Sequence, residues 1–260
     1  MKLSKKIILG IAAISMFFMS TGQTKPQIFE AEGKLIIGAD FAGDLTKLKE
    51  RVRAEALMNA RMKSRVFVRD TATSKYSVVT EDEIKTIIAN VIDIVGEPKY
   101  DFKEVNVEGA VALLATCKLS AVIDDSNVLD AFRDREHLNQ IVQNNIGFEE
   151  QQRFTAEEYE RLQKQYIETK DPVERQKIRE QIKKNDVVFT AEQYKEAGNR
   201  YGYAKMYDEA IAEYNKALTV DPNYWAAYNN RGLAYKDLGN LNQAMSDYNK
   251  AIELNPKLSQ

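Results

Sequence analysis

Residues 207–222 read YDEAIAEYNKALTVDP, and 34 residues later 241–256 read LNQAMSDYNKAIELNP. Repetition at a fixed interval constrains the fold more than any bulk property of the chain, because each copy must be one unit that stacks on the next. Setting Ala191 over Trp225 places Gly198 over Gly232, Tyr201 over Tyr235, Ala210 over Ala244, Tyr214 over Tyr248, Ala217 over Ala251 and Pro222 over Pro256. The small residues let two helices approach closely and the tyrosines fill the space beside them. Proline, with no N–H to give, stops the second helix before the next copy begins.

This pattern resembles the tetratricopeptide repeat, with copies at 191–224 and 225–258 inside a repeat region of 187–260. Two copies are fewer than the three or so such stacks need, so an apolar face is left to be covered. One candidate cover lies upstream. FTAEEYERL at 154–162 echoes FTAEQYKEA at 189–197, with Thr155 and Thr190 read as helix caps, and DPVERQKIREQI supplies a second helix with Asp171 as cap and Pro172 in its first turn. The other candidate is a second chain, meeting the last helix, 241–254, around Tyr248 and Ile252.

The family resemblance implies a concave groove built from the first helix of each hairpin. Here it would carry Lys195, Asn199 and Tyr203 from one copy and Asn229, Asn230 and Lys236 from the next. The words KEAGN and NNRG resemble the carboxylate clamp of co-chaperones that hold the C-terminal tails of heat-shock chaperones. Lys195, Asn199 and Asn230 match that motif, whereas the Lys and Arg of a third repeat have no counterpart in these two copies. Ordinary polar groove positions explain the same residues, and both readings stand.

Upstream of the repeats the pattern is of another class. Residues 27–125 read as an α+β domain: a strand at FEAEGKLIIG, a helix over 44–64 with Leu45, Leu48, Val52, Ala56 and Ala60 on one stripe, and short strands at VFVR (66–69) and YSVV (76–79). A second helix starts at Thr80 with Glu83 completing a T-x-x-E capping box and carries Ile84, Ile87, Ile88 and Val91 inward. YDFKEV and GAVALLATCKLSAVI then form a hairpin across Asn106–Gly109, with Val111, Leu113, Ala115, Cys117, Leu119 and Ala121 on one face. AEGKLIIG, RVRAEALMNARMKSRV, VTEDEI and AVALLATCKLSAVID are similar to the N-terminal domain of flagellar assembly protein T and its relatives among small bacterial surface lipoproteins. That resemblance implies an exported envelope protein with an assembly role, although no lipid-attachment Cys stands near the expected processing site. Strand patterns end near 125, and 126–186 reads as a helical connector with capping helices, its first helix marked by Val128, Leu129, Phe132, Leu138 and Ile141.

The first residues fit export. Lys2, Lys5 and Lys6 precede the apolar run Ile7–Met19, then Ser20, Thr21 and Gly22, so residues 1–22 read as a signal peptide cut after Gly22. Thirteen apolar residues are short for a membrane span, which needs about 20. Loss of the three lysines takes the formal net charge from −2 to −5, which argues against nucleic acid as a partner. Membrane association stays open. The single cysteine, Cys117, cannot pair within the chain and reads as a small core residue.

No phosphate loop, dinucleotide fingerprint, zinc-protease or nucleophile-elbow motif occurs, and the lone His137 sits beside Asp134 and Glu136 on a predicted surface. The carboxylates alternate with Lys and Arg, as at Glu174–Lys184, and read as solvated helix faces. No catalytic site, metal or cofactor is expected. The fold class expected is an α+β N-terminal domain followed by an all-α region ending in two helical hairpins. The function expected is that of an exported bacterial scaffold, in the periplasm or cell envelope, that binds a protein or peptide. A self-associating structural protein with an empty groove is the alternative.

Overall fold

A computed structural model describes residues 26–39, 45–133, 135, 138–139, 142 and 148–259. The proposed signal peptide and His137 lie outside them. The chain divides into two compact units, residues 1–105 with 112–139 and residues 106–111 with 140–260. A strand-containing region precedes a run of helices, as the sequence pattern implies.

The first unit is built on a three-stranded sheet of order β1-β3-β2, with β1 Gln27–Gly38, β2 Asp93–Val107 and β3 Ala110–Ile123. β1 and β3 are antiparallel, in a register that runs from Gln27 opposite Ile123 to Gly38 opposite Ala112. Period two therefore sets Ala31, Leu35 and Ile37 beside Leu119 and Ala115 on one buried face, with Cys117 opposite Gly33. Val111, expected to be inward, is exposed, one residue beyond the end of the β1 pairing at Ala112. That hairpin turns at Glu108 and Gly109, both at positive φ (52° and 86°), and Asn106 Oδ1 accepts from the Gly109 amide at 2.9 Å. Burial raises the Cys117 thiol pKa, keeping it protonated.

Helix α1, Leu45–Thr73, packs on β1. Its buried stripe runs Leu48, Val52, Ala56, Ala60, Ser64, Val68, Ala72, so VFVR is helix and the strand expectation there is wrong. Four-residue spacing from Ala56 to Ala72 keeps one face inward, and this tertiary pattern overrides the β-preference of Val66, Phe67 and Val68. Leu45, the first residue of the expected stripe, is largely exposed. YSVV is not a strand either. Tyr76 stacks on Phe132 at 4.9 Å and Val78 C=O accepts from Arg135 Nη2 at 2.7 Å, so side chains take up this segment where a neighbouring strand would.

The outer edge of β1 is sealed by α1. Glu55 Oε2 accepts from the Lys34 amide (2.7 Å), Asn59 Nδ2 donates to Glu32 C=O (2.9 Å) and Lys63 Nζ donates to Glu30 C=O (2.6 Å). Residues four apart on a helix thus satisfy backbone groups two apart on a strand, which removes a template for edge pairing.

Helix α2, Glu81–Val91, begins with the expected capping box: the Glu83 amide donates to Thr80 Oγ1 and the Thr80 amide to Glu83 Oε2. Glu83 does more than cap. It is 2% exposed and accepts twice from Arg135, at 2.9 and 3.1 Å. Helix α3, Asp125–Arg133, buries Val128, Ala131 and Phe132.

In the second unit, α4 (Phe148–Glu168) and α5 (Pro172–Tyr203) form an antiparallel hairpin. Asp171 Oδ1 accepts from the Val173 and Glu174 amides, and Pro172 opens the helix, as its missing N–H allows. The two expected threonine caps do not form. Thr155 lies inside α4, and Thr190 inside α5 donates to Asp186 C=O at 2.8 Å. No Gly or Pro stands between Val173 and Ala197, so nothing breaks α5 before it enters the first repeat.

Then follow α6 (Tyr207–Val220), α7 (Trp225–Asp237) and α8 (Leu241–Leu254), closed by a 3-10 turn at Pro256–Ser259. A Cβ on Gly198 would stand 2.5 Å from the Tyr214 ring, and one on Gly232 would stand 2.9 Å from the Tyr248 ring. The same close approach recurs 34 residues apart, around buried Ala210, Ala217, Ala244 and Ala251. Pro222 follows the last residue of α6 and its cap, and Pro256 opens the closing turn.

Candidate protein-interaction groove

The groove positions sit on α5 and α7. Asn230 Nδ2 donates to Asn199 Oδ1 at 2.8 Å, Tyr214 Oη donates to the same oxygen at 2.9 Å, and Asn229 Nδ2 donates to Asn230 Oδ1 at 3.3 Å. Asn199, Asn229 and Asn230 are therefore one polar line crossing from the first repeat to the second. Asn199 and Asn230 are buried. Tyr203 follows one turn beyond Asn199 and is half-buried, whereas Lys236 is exposed, 3.8 Å from Asp237.

Lys195 is 2% exposed. Its ammonium has lost most of its hydration, and burial pushes its pKa down to about 7, partly opposed by the negative charge of Glu192. The residues around it went unread in the sequence. Glu192 and Glu196 are buried, so the solvated-face reading is wrong for them, as it is for Glu83 and Asp247. Thr155 Oγ1 donates to Glu192 Oε1 at 3.1 Å and Gln152 Nε2 donates to Glu196 Oε2 at 3.0 Å, both from α4. The available signal was the E-x-x-x-E spacing around Lys195, which puts both acids on one helix face.

A second unread group ties the repeats together. Arg231 on α7 grips Asp247 of α8 with two bonds of 2.7 Å, reaches Asn215 of α6 at 2.6 Å, and lies over the Tyr228 ring. One guanidinium thus spans three helices, a role that its five fixed donors suit.

The buried amine makes a pH prediction. Below about 7 Lys195 is charged in both folded and unfolded chains; between there and the ordinary lysine value the unfolded chain binds the extra proton. Folding stability should therefore rise with pH across that window, by at most about 1.4 kcal/mol per unit, and be lost as pH falls back through 7. Burial raises the pKa values of Tyr214 and Tyr224, so above pH 10 the trend should reverse. Urea titrations followed by fluorescence of the single tryptophan, Trp225, at several pH values check this. Lys195→Met should flatten the lower slope.

Among the described residues no cluster of His, Cys, Asp and Glu could hold a metal ion, and no helix is long and apolar enough to cross a membrane. Residues 225–258 match the family model described as tetratricopeptide repeat, and 198–239 match one described as TPR repeat. Over 70 residues, 27% of the chain, the sequence is 33% identical to Hsp70-Hsp90 organizing protein 3 of Arabidopsis thaliana. That stretch covers 12% of the relative, so the similarity concerns a small part of it. Matching sequence, the 34-residue recurrence of the Gly–Tyr contact and the paired hairpins agree: the C-terminal part of this chain is built of tetratricopeptide repeats, a protein-interaction module.

Proposed function

We propose that this chain is a non-catalytic bacterial adaptor, exported to the periplasm or cell envelope, whose repeat groove docks a segment of another protein. The observation that carries the reading is the continuous Asn199–Asn230–Asn229 line joining the inner helices of the two repeats. Organising other proteins, the role in the plant relative's name, is in keeping with it. Export rests on the basic and apolar N-terminus, and an envelope role on the resemblance of the first unit to the flagellar assembly protein T domain. Lys195, Asn199, Tyr203, Asn229, Asn230 and Lys236 are the groove residues. A free carboxylate tail suits them poorly, since Lys195 is already flanked by Glu192 and Glu196.

The test is capture of envelope proteins by the chain and by an Asn229→Lys, Lys236→Glu variant. These positions are partly or fully exposed, so the fold tolerates the change. Proteins retained only by the unaltered chain support the groove; identical capture sinks it.

Self-association is a second reading, favoured by one observation. Leu241, Met245 and Ile252 on α8 are 61%, 59% and 37% exposed, whereas one repeat earlier Ile211 and Leu218 are covered by α7 residues. Sedimentation of the same preparations decides it: a concentration-dependent mass abolished by Ile252→Lys supports a second copy on this face, and a constant monomer mass rejects it.

A further inference from the structure

Helix α4 meets α5 in two chemically different ways. Along its C-terminal half Tyr159, Leu162, Tyr166 and Ile167 are buried, as are Ile178 and Ile182 of α5, and Tyr166 stacks under Arg175 at 4.4 Å. This half is mostly apolar, with Gln163 also buried in it and Arg179 donating to Tyr166 Oη at 2.6 Å. Farther back, beside the first repeat, α4 and α5 are joined by hydrogen bonds: Thr155 to Glu192, Gln152 to Glu196, and Asn185 Nδ2 to Thr155 C=O at 3.0 Å. Among the described side chains of this stretch, the large apolar Phe154 is turned out and 69% exposed. Hydrogen bonds can be exchanged for bonds to water or to another donor, whereas the apolar contacts of the other half have no such substitute.

Glu192, Lys195 and Asn199, three and four residues apart, share one face of α5, the face that carries the proposed groove. Their burial means that the site is closed to solvent in this state. Two carboxylates and an amine held out of water favour any exchange that keeps them hydrogen-bonded and oppose one that leaves them bare.

We propose that the N-terminal half of α4 is a displaceable ligand of the groove carried within the chain, and that the external ligand of the first repeat is a helical segment presenting hydroxyl, amide or cationic donors to Glu192 and Glu196 in its place. This rests on the groove being the docking site. α4 supplies the template for the partner: donors three residues apart on one helix face, answering acceptors four apart on α5. An acidic segment would set carboxylate against carboxylate and be rejected. Displacement swings out the polar half of α4 while Leu162 and Tyr166 keep its base seated.

The experiment uses the full chain and needs no known partner. Lys195 acetylation, read by mass spectrometry after a short reagent pulse, is followed across a urea series alongside Trp225 fluorescence. Labelling at urea concentrations below the Trp225 transition is expected, because local opening precedes unfolding of the repeats. Coincidence of the two transitions overturns the proposal. A Gln152→Glu, Thr155→Glu variant should raise the Lys195 labelling rate in buffer about tenfold or more by like-charge repulsion, with the Trp225 transition kept. Loss of that transition in the variant means α4 is part of the repeat core and also overturns it.

A fluorescent peptide of residues 148–168 should bind this variant and not the unaltered chain, and the same peptide carrying both glutamates should bind neither. Opening without peptide binding overturns the ligand chemistry. Because Lys195 labelling involves no partner, its failure is distinct from failure of the envelope capture.

Discussion

Gly33→Ala is expected to destabilise the first unit by about 3 kcal/mol, the upper part of the range for forcing atoms into a packed interior. A Cβ at this position would stand 2.3 Å from Val52 C=O and 2.5 Å from the Ala56 amide nitrogen. Both are backbone atoms in the middle of α1, so no rotamer change makes room. Helix α1 must move off β1, and the edge bonds from Glu55, Asn59 and Lys63 weaken with it. The check is urea unfolding followed by far-UV circular dichroism. Gly202→Ala is the control: its methyl would meet only Tyr214 Oη, at 3.7 Å, inside a helix, and should add about 0.5–1 kcal/mol of stability. Equal effects at the two glycines would show that close approach is not why Gly33 is there.

Arg231→Leu is the second large effect, about 3 kcal/mol, read from the Trp225 transition. The cost arises mainly from what remains: Asp247, with its side chain 7% exposed, keeps its charge in a site closed to water with no cation. Asp247→Asn should cost less, since the amide oxygen still accepts one of the two guanidinium bonds. If Arg231→Leu unfolds no more easily than the unaltered chain, the pair is ornamental and α6, α7 and α8 are held by their apolar contacts alone. Substitution at Arg231 should also weaken partner capture, because α7 carries Asn229 and Asn230.

Much of this was legible in the chain. Period 34 with Gly, Tyr, Ala and Pro at fixed offsets carries its own mechanism, since each of those residue types answers a local steric demand. The same holds for the Thr80–Glu83 box, the Asp171–Pro172 helix start and the turn at Asn106–Gly109, where the deciding interactions lie within a few residues. Gly33 carried a signal that the strand reading did not use, since an isolated glycine inside a strand marks close backbone approach.

Other features depended on partners far along the chain. VFVR is a good strand by local preference and became helix because Ala56, Ala60, Ser64, Val68 and Ala72 share one buried face. Thr155 and Thr190 look like caps and are not, because no neighbouring residue forces the chain out of the helix. Glu192 and Glu196 look like ordinary surface charges until α4 lies beside them. Arg231 and Asp247 carry no local signal at all. Their pairing spans 16 residues and two helices.

What the sequence by itself determined is the repeat architecture and the change of class between the two halves, because repeat spacing and side-chain periodicity are local properties of the chain. Only the tertiary structure decided that Lys195, Glu192 and Glu196 are buried and that the lysine is stripped of water. Burial and charge compensation belong to the surroundings a side chain acquires on folding, and here those surroundings include a helix about 40 residues upstream.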